Sequence, residues 1–312
     1  FSLFNDIIGG SLEVYSGTTK DLLVERSLPS ITGFANVTAN LGKLRNKGLE
    51  LTLNANIFKQ DNFEWSASST FSMNRRKIVT LYGDMENVLD NEGNVIGEKE
   101  SDDPTNGWFI GQDPDRIWAY ERLGVWQLGE EEQAAIYGCK PGDFKYKDQN
   151  GDGVMNTEDK VFQGYKTPRY RWSMRNDFTI HKNFTVSFTM YSYFGHYGAF
   201  NEAANYNGGS PYKFSSYDLP RWTKDNPTND YARISSYNAG TNWVKKSFLR
   251  LDNVSVSYNL PKSFLRKFAI QNMRLTLTAR NVAVLSPHWT FWDPENGSLS
   301  PRSFNLGINF TL

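Results

Sequence analysis

Cysteine is nearly absent: the single Cys139 excludes an internal disulfide and any site built on several thiolates, and reads as an unreactive loop residue. Net charge is absent too. Thirty-four basic residues balance thirty-four acidic ones, so no overall field draws the chain to nucleic acid or to an anionic membrane surface. No run of eighteen apolar residues occurs, which excludes a membrane-spanning helix, and residues 1–16 lack the basic start and apolar core of a signal peptide. Catalytic motifs are missing as well. His181, His196 and His288 are isolated and read as structural, with no HExxH spacing, GxSxG elbow, phosphate loop or cysteine–histidine set, so the chain is not expected to be an enzyme. Glu130 and Glu131 fall in a polar run and read as a solvated face. The chain opens directly in a strand-like pattern, Phe1 to Tyr15, as expected for a piece of a longer polypeptide.

What is present is aromatic and alternating. Aromatics make up 15% of the chain although its mean hydropathy is −0.57, too aromatic for a disordered chain and wet for an ordinary globule. Eight segments alternate with period two: Leu3 to Tyr15, Lys47 to Ile57, Phe63 to Asn74, Tyr170 to Ile180, Phe184 to Met190, Phe248 to Leu260, Met273 to Val284 and Phe304 to Leu312. In the second, Leu49, Leu51, Leu53, Ala55 and Ile57 share one face and Glu50, Thr52, Asn54 and Asn56 the other. In the sixth the phase slips between Leu251 and Val254, which predicts a bulge near Asp252 and Asn253.

Alternation alone also suits a soluble sandwich. Connector lengths separate the two. They run long (17–45), short (58–62), long (76–167), short (around 182), long (197–245), intermediate (261–271) and long (285–301). Successive antiparallel strands turn on opposite rims, so all long loops fall on one rim, as in outer-membrane barrels. Arg116 to Gln127 looks strand-like, yet counting it as a crossing would reverse every later rim, so it belongs in the long loop. Arg274 and Arg280 share parity with threonines; on the lipid side each would cost roughly 2–4 kcal/mol, so both are expected to face the lumen.

Asp148, Asn150, Asp152, Gly153 and Asp159 fit positions one, three, five, six and twelve of a calcium loop, with the Val154 carbonyl at seven and Asn156 at nine. Oxygen ligands at alternate positions wrap a hard cation, and this makes Asp148, Asn150, Asp152, Val154 and Asp159 the candidate Ca2+ ligands. The twelfth position is Asp rather than the usual bidentate Glu; the competing reading is an Asx-rich turn without metal. Trp108, Trp118, Trp126, Tyr191, Tyr193, Tyr197, Tyr206, Tyr212, Tyr217, Trp222, Trp243, Trp289 and Trp292 offer faces to sugars or peptide side chains, or simply pack the loops.

The run Asn40 to Leu51, containing Asn46, Lys47, Gly48 and Glu50, resembles the NxGxxxNKGxE segment of SusC/RagA-type TonB-dependent transporters. Pro141, Gly142 and Asp143, leading into Asp148 to Gly153, are similar to that family's PGDxxxxDxNGDG loop, with Gly164 and Pro168 following. In order come Arg221 to Thr223, Ser247 to Leu251, Tyr258 to Pro261, Ala279 to Asn281 and Asp293 to Glu295; the end, Arg302 to Leu312, resembles the closing strand, although the family commonly ends on Phe. The resemblance covers nearly the whole chain. It implies an all-β fold, a transmembrane antiparallel β-barrel of which residues 1–312 supply about eight C-terminal strands out of about 22, without the plug or TonB box. It further implies active import of glycans or oligopeptides across the outer membrane of a Gram-negative bacterium, driven through TonB with a SusD-like lipoprotein lid. A passive porin and a surface carbohydrate-binding β-protein are the alternatives.

Overall fold

The computed structural model describes residues 1–27, 30–34, 36–40, 42–200, 219–234 and 243–312. Eight long strands form, one for each predicted segment: β1 Ile8–Lys20, β2 Lys43–Gln60, β3 Phe63–Thr80, β4 Tyr170–Ile180, β5 Phe184–Phe194, β6 Phe248–Asn259, β7 Asn272–Leu285 and β8 Ser303–Thr311. Each pairs antiparallel with its predecessor in one open sheet, which also takes in the two-residue strand Ser2–Leu3. The long connectors, 21–42, 81–169, 195–247 and 286–302, share one rim; the turns 61–62, 181–183 and 260–271 share the other.

Several boundaries differ from expectation. β1 starts at Ile8 rather than Leu3, because Phe4, Asn5 and Asp6 all take positive φ (57, 55 and 64) and fold Ser2–Leu3 back on Ile8 and Gly9. β2 and β3 extend further toward the long-loop rim than the alternation reaches. There, from Lys43 to Lys47 and from Asn74 to Lys77, polar side chains occupy both faces and the contrast that reveals a strand disappears.

The register confirms the predicted bulge: Thr189 pairs with Asn253 and Met190 with Leu251, leaving Asp252 as the extra residue. On the other side of β6, Leu251 meets Ala283 and Asn253 meets Arg280, so β7 carries one residue more, with Asn281 at φ 51. A bulge in β2 was not predicted. Asn56 pairs with Ser66 and Phe58 with Trp65, so Phe58 rather than Ile57 continues the apolar face. Arg116–Tyr120 pairs with Lys160–Tyr165, and Arg122–Val125 with Phe144–Tyr146, outside the main sheet and within the long connector.

Cross-strand pairing sorts the wall into two faces. One carries rows such as Leu12, Leu51, Phe71 and Trp172, or Phe188, Val254, Ala279 and Phe304. Two aromatic levels bound it, Phe71, Tyr170, Trp172 and Phe194 toward the long loops, and Phe58, Phe63, Trp65 and Phe178 toward the short turns. At about 3.4 Å per residue and a tilt near 40°, Phe63 and Phe71 lie roughly 21 Å apart along the barrel axis, close to the apolar band of outer-membrane barrels.

Two polar groups within this apolar band are paired. Asn176 accepts from Trp65 Nε1 at 3.1 Å, and Ser69 accepts from Trp172 Nε1 at 3.0 Å. The opposite face carries Glu13, Glu50, Ser72, Arg171 and, as expected, Arg274 and Arg280, which pair with Asn309 and Ser303.

Among the described residues no core lies against either face, and the buried apolar clusters sit in the long connectors: Val125, Phe144, Trp222 and Ala232; Trp126, Ala134 and Cys139; and Phe200 with Trp289. Leu306, Phe304 and Phe310 remain 60% or more exposed at the end of the sheet. An apolar face of this kind suits contact with hydrocarbon.

Candidate functional site

The long connectors are fastened to the polar face and to each other by charge. At the base of connector 81–169, Asp113 pairs with Arg169 and Asp115 with Arg76, and Thr167 Oγ1 donates to Asp115 at 2.7 Å. Higher up, Asp143, 2% exposed, accepts from Arg233 Nε at 2.9 Å, while Gly142 (φ 92) lies against the Trp222 ring, where a Cβ would come within 2.5 Å. Only glycine suits that contact. On the other side, Arg250 of β6 meets Asp293 at 2.6 Å and donates to Asn281, with Glu295 3.6 Å from its Nε, close enough for attraction but not for a hydrogen bond. Asn281 Nδ2 donates to the Ser300 carbonyl at 2.6 Å.

These fasteners frame a row of clefts along the polar face. One of about 280 Å³ is lined by Asn74, Arg76, Asp113 and Arg169. Its neighbour shares Pro168 and Arg171 with it and encloses about 420 Å³. A third, of about 380 Å³, is reached past Tyr197 and Trp243 and includes Arg122 and Tyr231.

The middle cleft has the chemistry of a binding site. Lys166, Arg171 and Lys246 contribute positive charge against one carboxylate, Glu295, which Tyr191 and Arg250 already engage. His196, 6% exposed, has no partner for Nδ1 among the described residues, and the same holds for Trp243 Nε1. Burial, reinforced by the charges of Lys246 and Arg171, pushes the His196 imidazole down to about 4, so it is neutral at physiological pH. Cations, unpaired ring nitrogens and the faces of Tyr193 and Tyr197 together suit a ligand with an anionic group and a flat or apolar body.

The sequence-level candidates divide accordingly. Tyr193, Tyr197 and Trp243 line the cleft, whereas Trp126, Trp222 and Trp289 are buried in loop packing and offer no binding face. Tyr206, Tyr212 and Tyr217 lie outside the described residues. His196, read as structural from the sequence, lies buried in the wall of the cleft. Lys166, Arg171 and Lys246 had no motif to mark them.

The calcium-loop candidates stay together in one turn but serve one another. Asp148 accepts from the N–H groups of Gly151 and Gly153 at 2.6 and 2.8 Å, and Asp152 from that of Val154 at 2.7 Å. Asp159, fully buried, uses one oxygen for Gln149 N and the other for Asn156 N. The Gly153 N–H leads the hydrogen bonds that hold the Asp148 carboxyl below its ordinary range. Among the described residues no three acidic, histidine or cysteine side chains converge on one position.

No protein-family model matches the chain. Its relatives do cover it from end to end. TonB-dependent receptor P26 of Formosa agariphila is 29% identical over 100% of the chain and 33% of its own length. SusC of Bacteroides thetaiotaomicron, also a TonB-dependent receptor, is 24% identical over 100% of the chain and 30% of its own length. The chain is similar to a barrel segment of SusC-like receptors. It spans about a third of the length of the curated relatives it matches. The solved RagAB peptide transporter superposes on 99% of it with a TM-score of 0.72 at 21% identity, and the closed-closed state of the RagAB peptide importer with 0.70 at 22%; the fold is therefore that of a β-barrel wall. In this SusC-like segment the apolar face is the lipid face, the polar face lines the lumen, and the clefts open inside the barrel mouth.

The family-like blocks acquire a physical meaning here. Ser247 to Leu251, Ala279 to Asn281 and Asp293 to Glu295 converge at Arg250, and Pro141 to Asp143 meets Arg221 to Thr223 through Gly142 and Trp222. They tie the loops to the polar face and to one another.

Proposed function

We propose that this SusC-like segment is the C-terminal third of an outer-membrane importer, which takes up glycans or oligopeptides with energy delivered through TonB and with a SusD-like lipoprotein closing over the loops. The two-faced wall with loop-framed lumenal clefts carries this reading. The named relatives are receptors and transporters, and RagAB is described in both open-open and closed-closed states, as a lidded importer would require. The middle cleft favours substrates bearing a carboxylate: Arg171 and Lys246 supply charge-assisted donors and Tyr193 and Tyr197 a stacking surface.

The test is uptake by cells carrying the full-length protein, with and without TonB. Import that persists unchanged without TonB would identify a passive pore instead. Within the active system, Arg171→Gln with Lys246→Gln is expected to weaken uptake of carboxylate-bearing substrates by on the order of 10- to 100-fold, while neutral ones are unaffected. Equal loss for both classes would remove the cleft from the binding role.

We propose further that calcium is the counter-ion of the loop Asp148 to Asp159. Asp148, Asp152, Glu158 and Asp159 crowd twelve residues, and binding would exchange their N–H partners for Asp148, Asn150, Asp152, Asp159 and the Val154 carbonyl around the ion. Calcium titration should raise the protease resistance of connector 81–169 in the parent and fail to do so in Asp148→Ala and Asp152→Ala. An equal response in all three overturns the proposal.

A further inference from the structure

Six cations stand on the lipid face of β1–β3, just above the apolar band. The register continues the rows Leu12, Leu51, Phe71 and Val14, Leu49, Met73 upward into Ser16, Lys47, Arg75, then Thr18, Arg45, Lys77, then Lys20, Lys43. No carboxylate falls on these upper rows; Glu13 and Glu50 face the lumen. Among the described residues none of the six has an ion-pair partner. Arg75 alone is tied down, donating to the Arg169 carbonyl at 2.7 Å and lying 4.7 Å from the centre of the Tyr170 ring.

Such a block is unfavourable by itself. Lys47 is directly opposite Arg75, Arg45 opposite Lys77, and Lys20 opposite Lys43, and like charges directly opposed across a sheet repel. The arrangement is stable when anions are supplied from outside the chain. Their height is fixed by the strand. Arg75 lies four residues beyond Phe71, roughly 10 Å above the aromatic level at the usual rise and tilt, which is headgroup depth. A dissolved ligand has no reason to select the lipid side at that height, whereas the phosphates of a lipid leaflet are concentrated there.

We propose that this face binds the phosphate groups of an anionic lipid in the outer leaflet. The proposal rests on the outer-membrane reading given above. Arg45, Lys47 and Arg75 form the central contact, with Lys20, Lys43 and Lys77 on its upper margin, and Tyr170 seats Arg75 at the boundary.

The test uses the full-length protein in nanodiscs of phosphatidylcholine alone, with diphosphorylated lipid A, or with lipid A stripped of its phosphates, and native mass spectrometry to read bound lipid. The parent should retain diphosphorylated lipid A in preference to the stripped form. Arg45→Gln/Lys47→Gln/Arg75→Gln should lose that retention by on the order of 10- to 100-fold, and Arg274→Gln, on the lumenal face, should keep it. If loss of Arg75 prevents folding, Lys20→Gln/Lys43→Gln/Lys47→Gln, which breaks no internal bond, should show a smaller loss of the same kind. Equal retention by parent and variants, no preference for phosphate, or an acidic protein or second copy occupying the face would overturn the proposal. Failure to enter any nanodisc would instead refute the membrane reading, so the two failures are distinguishable.

Discussion

Arg250→Ala is expected to destabilise the protein by about 3–5 kcal/mol, the largest loss of any loop-anchoring substitution. Arg250 is 3% exposed, and its guanidinium serves Asp293 and Asn281 together, with Glu295 alongside. Truncation leaves the Asp293 carboxylate buried with only the N–H groups of Glu295 and Asn296, at 2.9 and 3.1 Å, to satisfy it. Removing both charges together, as in Arg250→Met/Asp293→Leu, should cost much less than the sum of the single changes, because neither charge is then stranded. The measurement is a double-mutant cycle on urea or thermal unfolding, with proteolysis of connector 286–302 as the local readout. A loss under about 0.5 kcal/mol for Arg250→Ala would mean that the cluster is not a fastener. Acid should mimic the mutation. Burial works to raise the Asp293 carboxyl, but the Arg250 hydrogen bond, aided by the two N–H groups, outweighs it and holds the group below its ordinary 3.8. A carboxyl depressed in the fold stabilises above its unfolded pKa and loses that contribution as pH falls through the folded one, so the connector should loosen only in strong acid.

The wall was legible because a strand in lipid obeys one rule between its bulges: every second side chain within the apolar band meets hydrocarbon. Leu49, Leu51 and Leu53 could therefore be placed from parity alone, and the bulge at Asp252 from a single slip of it. The unpredicted bulge at Ile57 shows the limit, since Ile57 and Phe58 are both apolar and a slip between like residues leaves no trace. Charge is legible only in sum for a related reason. Neutrality of the whole conceals a local block that becomes visible only when Lys47 and Arg75 are set side by side by the register. The lumenal cleft was least legible. Lys166, Arg171, His196 and Lys246 come from separate segments, and no spacing within the sequence connects them.

Val254→Arg, set against its neighbour Ser255→Arg, puts the division of faces to the test that decides the rest. Val254 lies midway between the two aromatic levels, in the row with Phe188, Ala279 and Phe304, whereas Ser255 shares the opposite row with Ser187 and Thr278. An arginine at the bilayer midplane on the lipid face costs roughly 2–4 kcal/mol, while one in a wet lumen costs little. Val254→Arg should therefore lower the yield of folded protein in the outer membrane and its unfolding midpoint, and Ser255→Arg should resemble the parent in both. In a soluble sandwich, the same pair would also differ if Val254 faced a core, so the medium must be varied. Changing from thin to thick hydrocarbon should move the penalty at Phe71→Arg, near the band edge, but not at Val254→Arg, because depth in a membrane sets the cost at the edge and burial in a protein core has no such dependence. Equal penalties for Val254→Arg and Ser255→Arg would show that the two faces meet the same environment, and with that the assignment of lumen, lipid face and headgroup contact would all fall.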